Sequence, residues 1–419
     1  MLINDPLIVR IVAKGQPLQM AIASQVTRFS YQDSEKEDDM LSVTFADPYN
    51  LLVDSDQFLE NTEWIVQWGF PTKLHPPRKV LVKRPVFRHG EIEIQALDKG
   101  SRLKLDENWS VHKKTSPKKL IEHIAQKNQL IAIVDDDLGK EIISSFSMGG
   151  RTDYDVLKYL QSQAEDHFFK IQDDKVVFQK RDMSSPPKAT YEYEPGRSSR
   201  LLSFEISIKD QDNAKSSRQT TAVSVDPFTH KTKIFKSDEG TTSVQNLGSR
   251  RTTDKYPSTF DVDFPGKVLN GGKKKQPTQG QTTGKSLILP PKSDSQLQAI
   301  AKGKRRKSLL DSCKAKFEIV ASPDDPFLKS GDLIQVLGIG KRFSGIYRIL
   351  AITHDLSDGY KYSIDAQRNA VGSTGKKSSK PLNGPKNTKS AISQIKETVG
   401  KVIVGAKSGI KYGQGGLSL

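Results

Sequence analysis

Cysteine is all but missing from this chain. Cys313 is the only one in 419 residues, which excludes internal disulfides and any multi-cysteine metal site. Long apolar runs are missing too. No stretch approaches the roughly 20 residues that span a bilayer, and the opening MLINDPLIVRIVAKG lacks the long apolar core of a signal peptide. The expectation is a protein made and kept soluble in a cytosol, with no stable membrane insertion. Catalytic signatures are equally scarce: there is no Ser/His/Asp motif, no metal-ligand cluster and no glycine loop on a nucleotide fold. GQTTGKS echoes a phosphate loop, but Gln279 stands where the first glycine is required and no strand precedes it. His123 and His167 have no second histidine at zinc-type spacing and are expected on helix surfaces. The reading is therefore not an enzyme, with no cofactor.

Charge is plentiful but uneven. The net charge of +16 would ordinarily point to nucleic acid or another anionic surface. Residues 265–316 carry +11 and residues 371–419 carry +8, which leaves −3 for everything else. The basicity thus belongs to a loop region and a tail, and no sequence-specific nucleic-acid binding is expected.

What the chain does have is β pattern. Leu333 to Leu337, Gly345 to His354 and Tyr360 to Gln367 are rich in β-branched, aromatic and aliphatic residues, with a hairpin turn at Ser357-Asp358-Gly359. The pattern recurs upstream. FLENTEWIVQWG (58–69) aligns without a gap on FLKSGDLIQVLG (327–338), which sets Glu63 on Asp332, Trp64 on Leu333 and Trp68 on Leu337. Val80 to Val86 and Gly90 to Asp98 follow as the later strands do. Ahead of them lie a hairpin through Lys14-Gly15-Gln16-Pro17, an acidic loop from Asp33 to Asp39, and a strand over Met40 to Ala46. Between the copies, SPKKLIEHIAQKN has the i, i+3, i+4 stripe of a helix, with Ser116 as N-cap and Pro117 at the first position. A second helix is expected from Arg151 to His167, then a hairpin through Asp173-Asp174. Leu201 to Lys209 and Gln219 to Val225 read as strands and Ser295 to Lys314, including Cys313, as helix.

The fold class expected is mainly β with α+β: two related tube-like β-barrel domains plus a small α/β domain. The boundaries are 1–103 for the first barrel, 104–195 for the α/β domain and 196–372 for the second barrel. Residues 237–286 are a polar, flexible insertion in that barrel, and 373–419 are a basic flexible tail. In the tail, Ile392, Ile395, Val399, Val402 and Ile403 fall near helical spacing among lysines, a candidate partner-binding face that folds on docking; the alternative is a plain solvated linker.

The order of these parts resembles the baseplate hub proteins of contractile-tailed phages, the late control protein D family, and the front half of type VI secretion spike proteins. The matching residues are Gly331, Asp332, Ile334, Val336, Gly338, Gly345, Tyr347, His354, Gly359 and Tyr360, together with Thr152, Asp153, Leu157, Leu160 and Ala164 of a T-D-x-x-x-L-x-x-L-A helix, in which Ala164 is shifted by three places. The resemblance covers roughly Leu2 to Gly372. It implies a virion structural protein of the tail baseplate, assembled in the host cytoplasm as a homotrimer. Such a hub joins the hexameric tail tube to the trimeric spike and forms part of the channel for DNA delivery. The implied partners are tail tube protein, central spike protein and other baseplate or tape-measure proteins. The alternative is a tail-associated peptidoglycan-degrading or glycan-binding protein.

Overall fold

The computed structural model describes residues 7–18, 22, 24–140, 142–164, 167–194, 199–208, 220–225, 232–237, 247–249, 285–289, 297–298, 300–303, 305 and 310–372. Strands dominate. The first part of the chain supplies β1 (Ile8–Ala13), β2 (Gln16–Pro17), β3 (Val26–Ser34), β4 (Met40–Asp47), β5 (Glu63–Phe70), β6 (Lys73–Leu74), β7 (Arg78–Arg88) and β8 (Gly90–Leu97). The middle part supplies β9 (Glu107–Asn108), β10 (Val111–Thr115), β11 (Ile131–Val134), β12 (Ile143–Ser147), β13 (Arg151–Thr152), β14 (His167–Gln172) and β15 (Lys175–Lys180), with helices over Pro117–Lys127 and Asp153–Gln163. Then come β16 (Ala189–Glu192), β17 (Leu201–Ile208), β18 (Thr220–Val225), β19 (Thr232–Ser237), β20 (Lys285–Leu289), β21 (Cys313–Val320), β22 (Leu333–Leu337), β23 (Gly345–Asp355) and β24 (Lys361–Arg368).

Fourteen of these strands form one sheet, in the order β17-β21-β24-β23-β3-β4-β8-β7-β5-β1-β2, with β6, β16 and β22 branching from it. Within it the same five-stranded array occurs twice. The first array is β3-β4-β8-β7-β5 and the second is β17-β21-β24-β23-β22, and their registers agree pair for pair. Trp64↔Val80 answers Ile334↔Tyr347, Val82↔Ala96 answers Ile349↔Ala366, Val43↔Ile94 answers Phe317↔Ile364, and Phe29↔Val43 answers Phe204↔Phe317. Even the irregularities coincide. Lys83 and Leu350 are each skipped in the long middle strand, and Thr27 and Leu202 in the first. A β-bulge at the same place in both copies bends both arrays alike.

The ungapped sequence alignment is thereby corrected. It set Trp64 on Leu333, whereas the structure matches Trp64 to Ile334. Because side chains alternate between faces, a one-residue slip would turn the core set outward. Trp64, Val66 and Trp68 are buried in the same large cluster as Ile334, Val336, Tyr347 and Ile349. β21 also departs from expectation, since the segment from Cys313 is strand rather than helix. Its C-K-A-K-F-E-I-V alternation puts Cys313, Ala315, Phe317 and Ile319 inside, and burial pushes the Cys313 thiol up to about 11.

Between the arrays lies a smaller core. Ser116 caps the first helix by accepting from the Lys119 N–H at 3.3 Å, and the predicted stripe Leu120, Ile121, Ile124 and Ala125 is buried. Thr152 caps the second, and Leu157 and Leu160 pack inward. That helix ends at Gln163, so His167 opens β14 instead of closing a helix. It is buried and lies 3.5 Å from Asp135, whereas His123 is exposed as expected. The β14–β15 hairpin turns at Asp173-Asp174, both at positive φ.

Four strands depart from the expected organisation. β16 pairs in parallel with β22, so the large sheet draws on chain ahead of residue 196. β18 pairs with β19 and β20 in a separate sheet. Residues 238–246 and 250–284 of the expected insertion lie outside the described residues, but Lys285–Leu289 is a strand and Leu247 is buried. Its N–H donates to Asn369 Oδ1 at 2.8 Å and its carbonyl accepts from Arg368 Nη2 at 2.8 Å.

Gly338 shows how closely these parts meet. At φ 77° any added Cβ would lie 2.0 Å from the Tyr193 carbonyl oxygen. Gly338→Ala is therefore expected to destabilise the protein by about 1–3 kcal/mol through backbone strain. Chemical denaturation measures it, and an unchanged midpoint would show that the 193 backbone gives way freely.

Candidate functional site

The two arrays meet where β3 pairs with the second half of β23, Ser30 to Ser34 against Asp355 to Ala351. The acidic stretch expected as a loop is built into this joint. β3 runs on through Asp33 and Ser34, and Asp33, Glu35 and Asp39 are buried. Sequence alone offered no reason to bury them, because their partners come from distant segments.

Lys170, projecting from β14, reaches Asp33 Oδ1 at 2.5 Å, Asp39 Oδ1 at 3.0 Å and Ser330 Oγ at 3.1 Å. Gln172, two residues on and so on the same face, donates to Asp33 Oδ2 at 3.1 Å and to Asp39 Oδ2 at 2.7 Å. Burial raises the Asp33 carboxyl, but the Lys170 charge and donors outweigh it and hold the group well below the usual carboxylate range. Asp39 goes the other way. Burial, with Asp33 beside it, lifts it to about 6 against the pull of Lys170. Glu35 is buried as well, yet it is held low by Arg348, with which it makes a short ion pair, and by Arg181 at 2.8 Å.

The hairpin tip completes the clamp. Asp173 accepts from Arg78 Nη1 at 2.6 Å and from the Lys79 N–H at 3.1 Å, and Asp174 pairs with Lys79 at 2.5 Å and with Lys99. The α/β segment thus touches β7 and Lys99 of the first array's part of the chain and, through Lys170 and Ser330, the approach to β22 in the second.

Beside the charges lies an aromatic cluster shared by both arrays. Trp68 stacks on His75 at 4.3 Å and donates through Nε1 to Tyr360 Oη at 3.2 Å, and His354 Nδ1 lies 2.9 Å from the same hydroxyl. Burial keeps both histidines neutral, His75 at about 4 and His354 well below its ordinary value. These contacts explain the H-x-x-x-x-G-Y pattern: the turn brings Tyr360 back over His354 to seal the joint. Asp332 accepts from the Lys329 N–H and pairs with Lys188, each at 2.9 Å. Tyr347 donates to the Phe343 carbonyl at 2.6 Å. Asp153 binds Lys127 and Asn128, each at 2.9 Å, and so ties the end of one helix to the start of the other. The motif residues are joints of the fold. The tail candidates Ile392, Ile395, Val399, Val402 and Ile403 lie outside the described residues. Among the described residues no group of three or more His, Cys, Asp or Glu could hold a metal ion, and no helix is long and apolar enough to cross a membrane.

With this geometry in view, the chain compares with solved structures of tail proteins. It matches a tail protein of Neisseria meningitidis MC58 with a TM-score of 0.62 at 13% identity, covering 87% of this chain and 97% of that one. It matches the 43 kDa tail protein of prophage MuSo2 from Shewanella oneidensis with a TM-score of 0.60 at 12% identity, covering 87% and 100%. An Escherichia coli component of the type VI secretion system, itself described as structurally similar to bacteriophage T4 tail proteins, matches with a TM-score of 0.51 at 9% identity over 85% and 76%. The fold is that of phage tail proteins and of this type VI secretion component, as the resemblance in sequence implies. No family model matches the chain, and no curated protein does.

Lys170 is the test of the clamp. Lys170→Met leaves Asp39 buried without its cation and Asp33 with only Arg78, 4.0 Å away, and is expected to cost about 3–5 kcal/mol at pH 7. The cost shrinks toward pH 4, because without the lysine the two acids take up protons and shed their charge. Urea denaturation at both pH values measures this, and an equal loss at each would show that the lysine acts by packing alone.

Proposed function

We propose that this chain is a structural tail protein, the central baseplate hub that joins a hexameric tail tube to a trimeric spike and lines part of the channel for DNA delivery. The observation that carries the reading is the pair-for-pair repetition of the two five-stranded arrays. A chain with two equivalent arrays gives three copies six similar surfaces, so one ring can face sixfold symmetry on one side and threefold on the other. The similarity in fold to phage tail proteins supports the same reading.

In this proposal the arrays are two tube-like barrel domains, 1–103 and 196–372, and the α/β domain 104–195 stands between them. Residues 373–419 form a basic tail whose Ile392, Ile395, Val399, Val402 and Ile403 dock on an acidic groove of the spike or tail tip. Tail tube, central spike and other baseplate or tape-measure proteins are the partners, and the location is the virion tail of a contractile particle. The role is structural, without catalysis or cofactor.

Native mass spectrometry of the purified chain, alone and with spike protein, is expected to show a threefold species. Persistent dimers or tetramers would overturn the reading. Truncation after Gly372 is expected to leave that species intact and weaken spike binding, with the difference shrinking as salt rises.

A further inference from the structure

The joint between the two arrays is made once inside the chain, and the repetition of registers shows where it can be made again. The second half of β23, past its bulge at Leu350, pairs with β3 of the other array. Its counterpart in the first array is the second half of β7, past the bulge at Lys83. Among the described residues β7 pairs with β8 along one side and with β5 only over Arg78 to Leu81, so the Arg84–Arg88 edge has no strand beside it. The counterpart of β3 is β17, which among the described residues pairs with β21 alone. Each chain therefore ends in one unpaired edge of each kind.

The exposure of matched residues bears this out. Phe29, Tyr31 and His354 are buried in the made joint, whereas Phe204 and Phe87, which occupy the places of Phe29 and His354, are 39% and 41% exposed. Leu202, at the bulge of β17, is also exposed.

We propose that β17 of one copy of this chain pairs antiparallel with the Arg84–Arg88 edge of β7 in the next copy, in the register of the internal joint. Transfer of that register puts Pro85 opposite Ile208, Val86 opposite Ser207, Phe87 opposite Ile206 and Arg88 opposite Glu205. The chemistry of these pairs is complementary: two are apolar, and one sets a cation against an acid. Arg88, at present held by Glu93 at 2.8 Å and Glu91 at 3.3 Å, gains a third carboxylate beside it. The contact is head to tail, so it propagates from chain to chain and closes only as a ring.

The hydrogen-bond phase also fits. In the made joint the Glu35 N–H donates to the Leu350 carbonyl and the Leu356 N–H to the Phe29 carbonyl, each within 3.0 Å. The bonded pairs therefore fall on 350, 352, 354 and 356, and the wide pairs between them. Pro85 occupies the place of 352. Its missing N–H faces the free edge, the one direction in which a proline within a strand leaves its other ladder intact. The joint between chains then has one bond fewer than the joint within a chain.

This inference rests on the ring-forming hub reading, and the test separates the two. Val86 and Ser207 fall on a wide pair, where Cα atoms lie about 4.5 Å apart and a disulfide can close. The Val86→Cys/Ser207→Cys chain is expected to form disulfide-linked multimers under mild oxidation. The two chains that carry only one of these substitutions beside the buried Cys313, and the register-shifted Val86→Cys/Glu205→Cys chain, do not. Circular dichroism confirms that each variant folds, and Phe87→Lys in the otherwise natural chain is expected to shift native mass spectra toward monomer. A threefold species without the Val86–Ser207 crosslink overturns this joint and leaves the hub reading standing. A chain that stays monomeric overturns both, and a disulfide closed within one chain shows that β7 is covered by its own β17.

Discussion

One lysine amine, buried between two aspartates, fixes how the parts of this protein meet. Lys170 bonds Asp33 on β3, Asp39 just before β4 and Ser330 just before β22, while its own strand belongs to the α/β segment. Buried charges cost several kcal/mol each to remove from water and recover it only when geometry and further hydrogen bonds are good. Here Gln172, Tyr31 and the Ser330 and Ser34 N–H groups supply those bonds. An arrangement shifted by one residue would leave Asp33 or Asp39 buried without a cation. The network thus selects one register for β3 against β23, where alternation of apolar residues alone would tolerate slips of two.

The same selection explains which parts were legible in the sequence. The strands 333–337, 345–354 and 360–367 were visible because alternation, turn glycines and β-branched residues agree, and the helix at Pro117 because cap, proline and stripe agree. Local signals of that kind specify an element. They did not specify the acidic stretch, because the residues that neutralise Asp33, Glu35 and Asp39 lie at 170, 181 and 348. Nor did they specify β21, where Leu309, Leu310 and Cys313 continued a helical stripe just ahead of the alternating C-K-A-K-F-E-I-V.

The repeat was legible as a likeness and misaligned in register. Alignment without a gap maximised identity at Phe, Leu, Ile and Gly, and so fixed Trp64 one place from its true counterpart. Only pairing reveals the phase, because the copies are held equivalent by bulges at Lys83 and Leu350, and those two residue types share nothing. The glycine, tyrosine and histidine positions that carry the family resemblance are joints of the second array. The first array meets the same demands with different residues, which is why the resemblance is clear in one half and faint in the other.

The two copies also differ where their use differs. The joint inside the chain is dense with buried charge and aromatic contacts, and a third segment clamps it from the side. Its counterpart edges on β7 and β17 carry Pro85, Val86, Phe87, Ile206 and Ile208, small apolar patches, with Arg88 on the one edge and Glu205 on the other. An edge of that composition avoids indiscriminate pairing, because proline removes a donor and Arg84 and Arg88 repel a second basic edge. It can still be matched by the one strand whose spacing of apolar and acidic residues agrees. In the proposed assembly, a permanent joint within the chain and a weaker, matched joint between chains would let the protein fold first and assemble second, the order that a ring built this way requires.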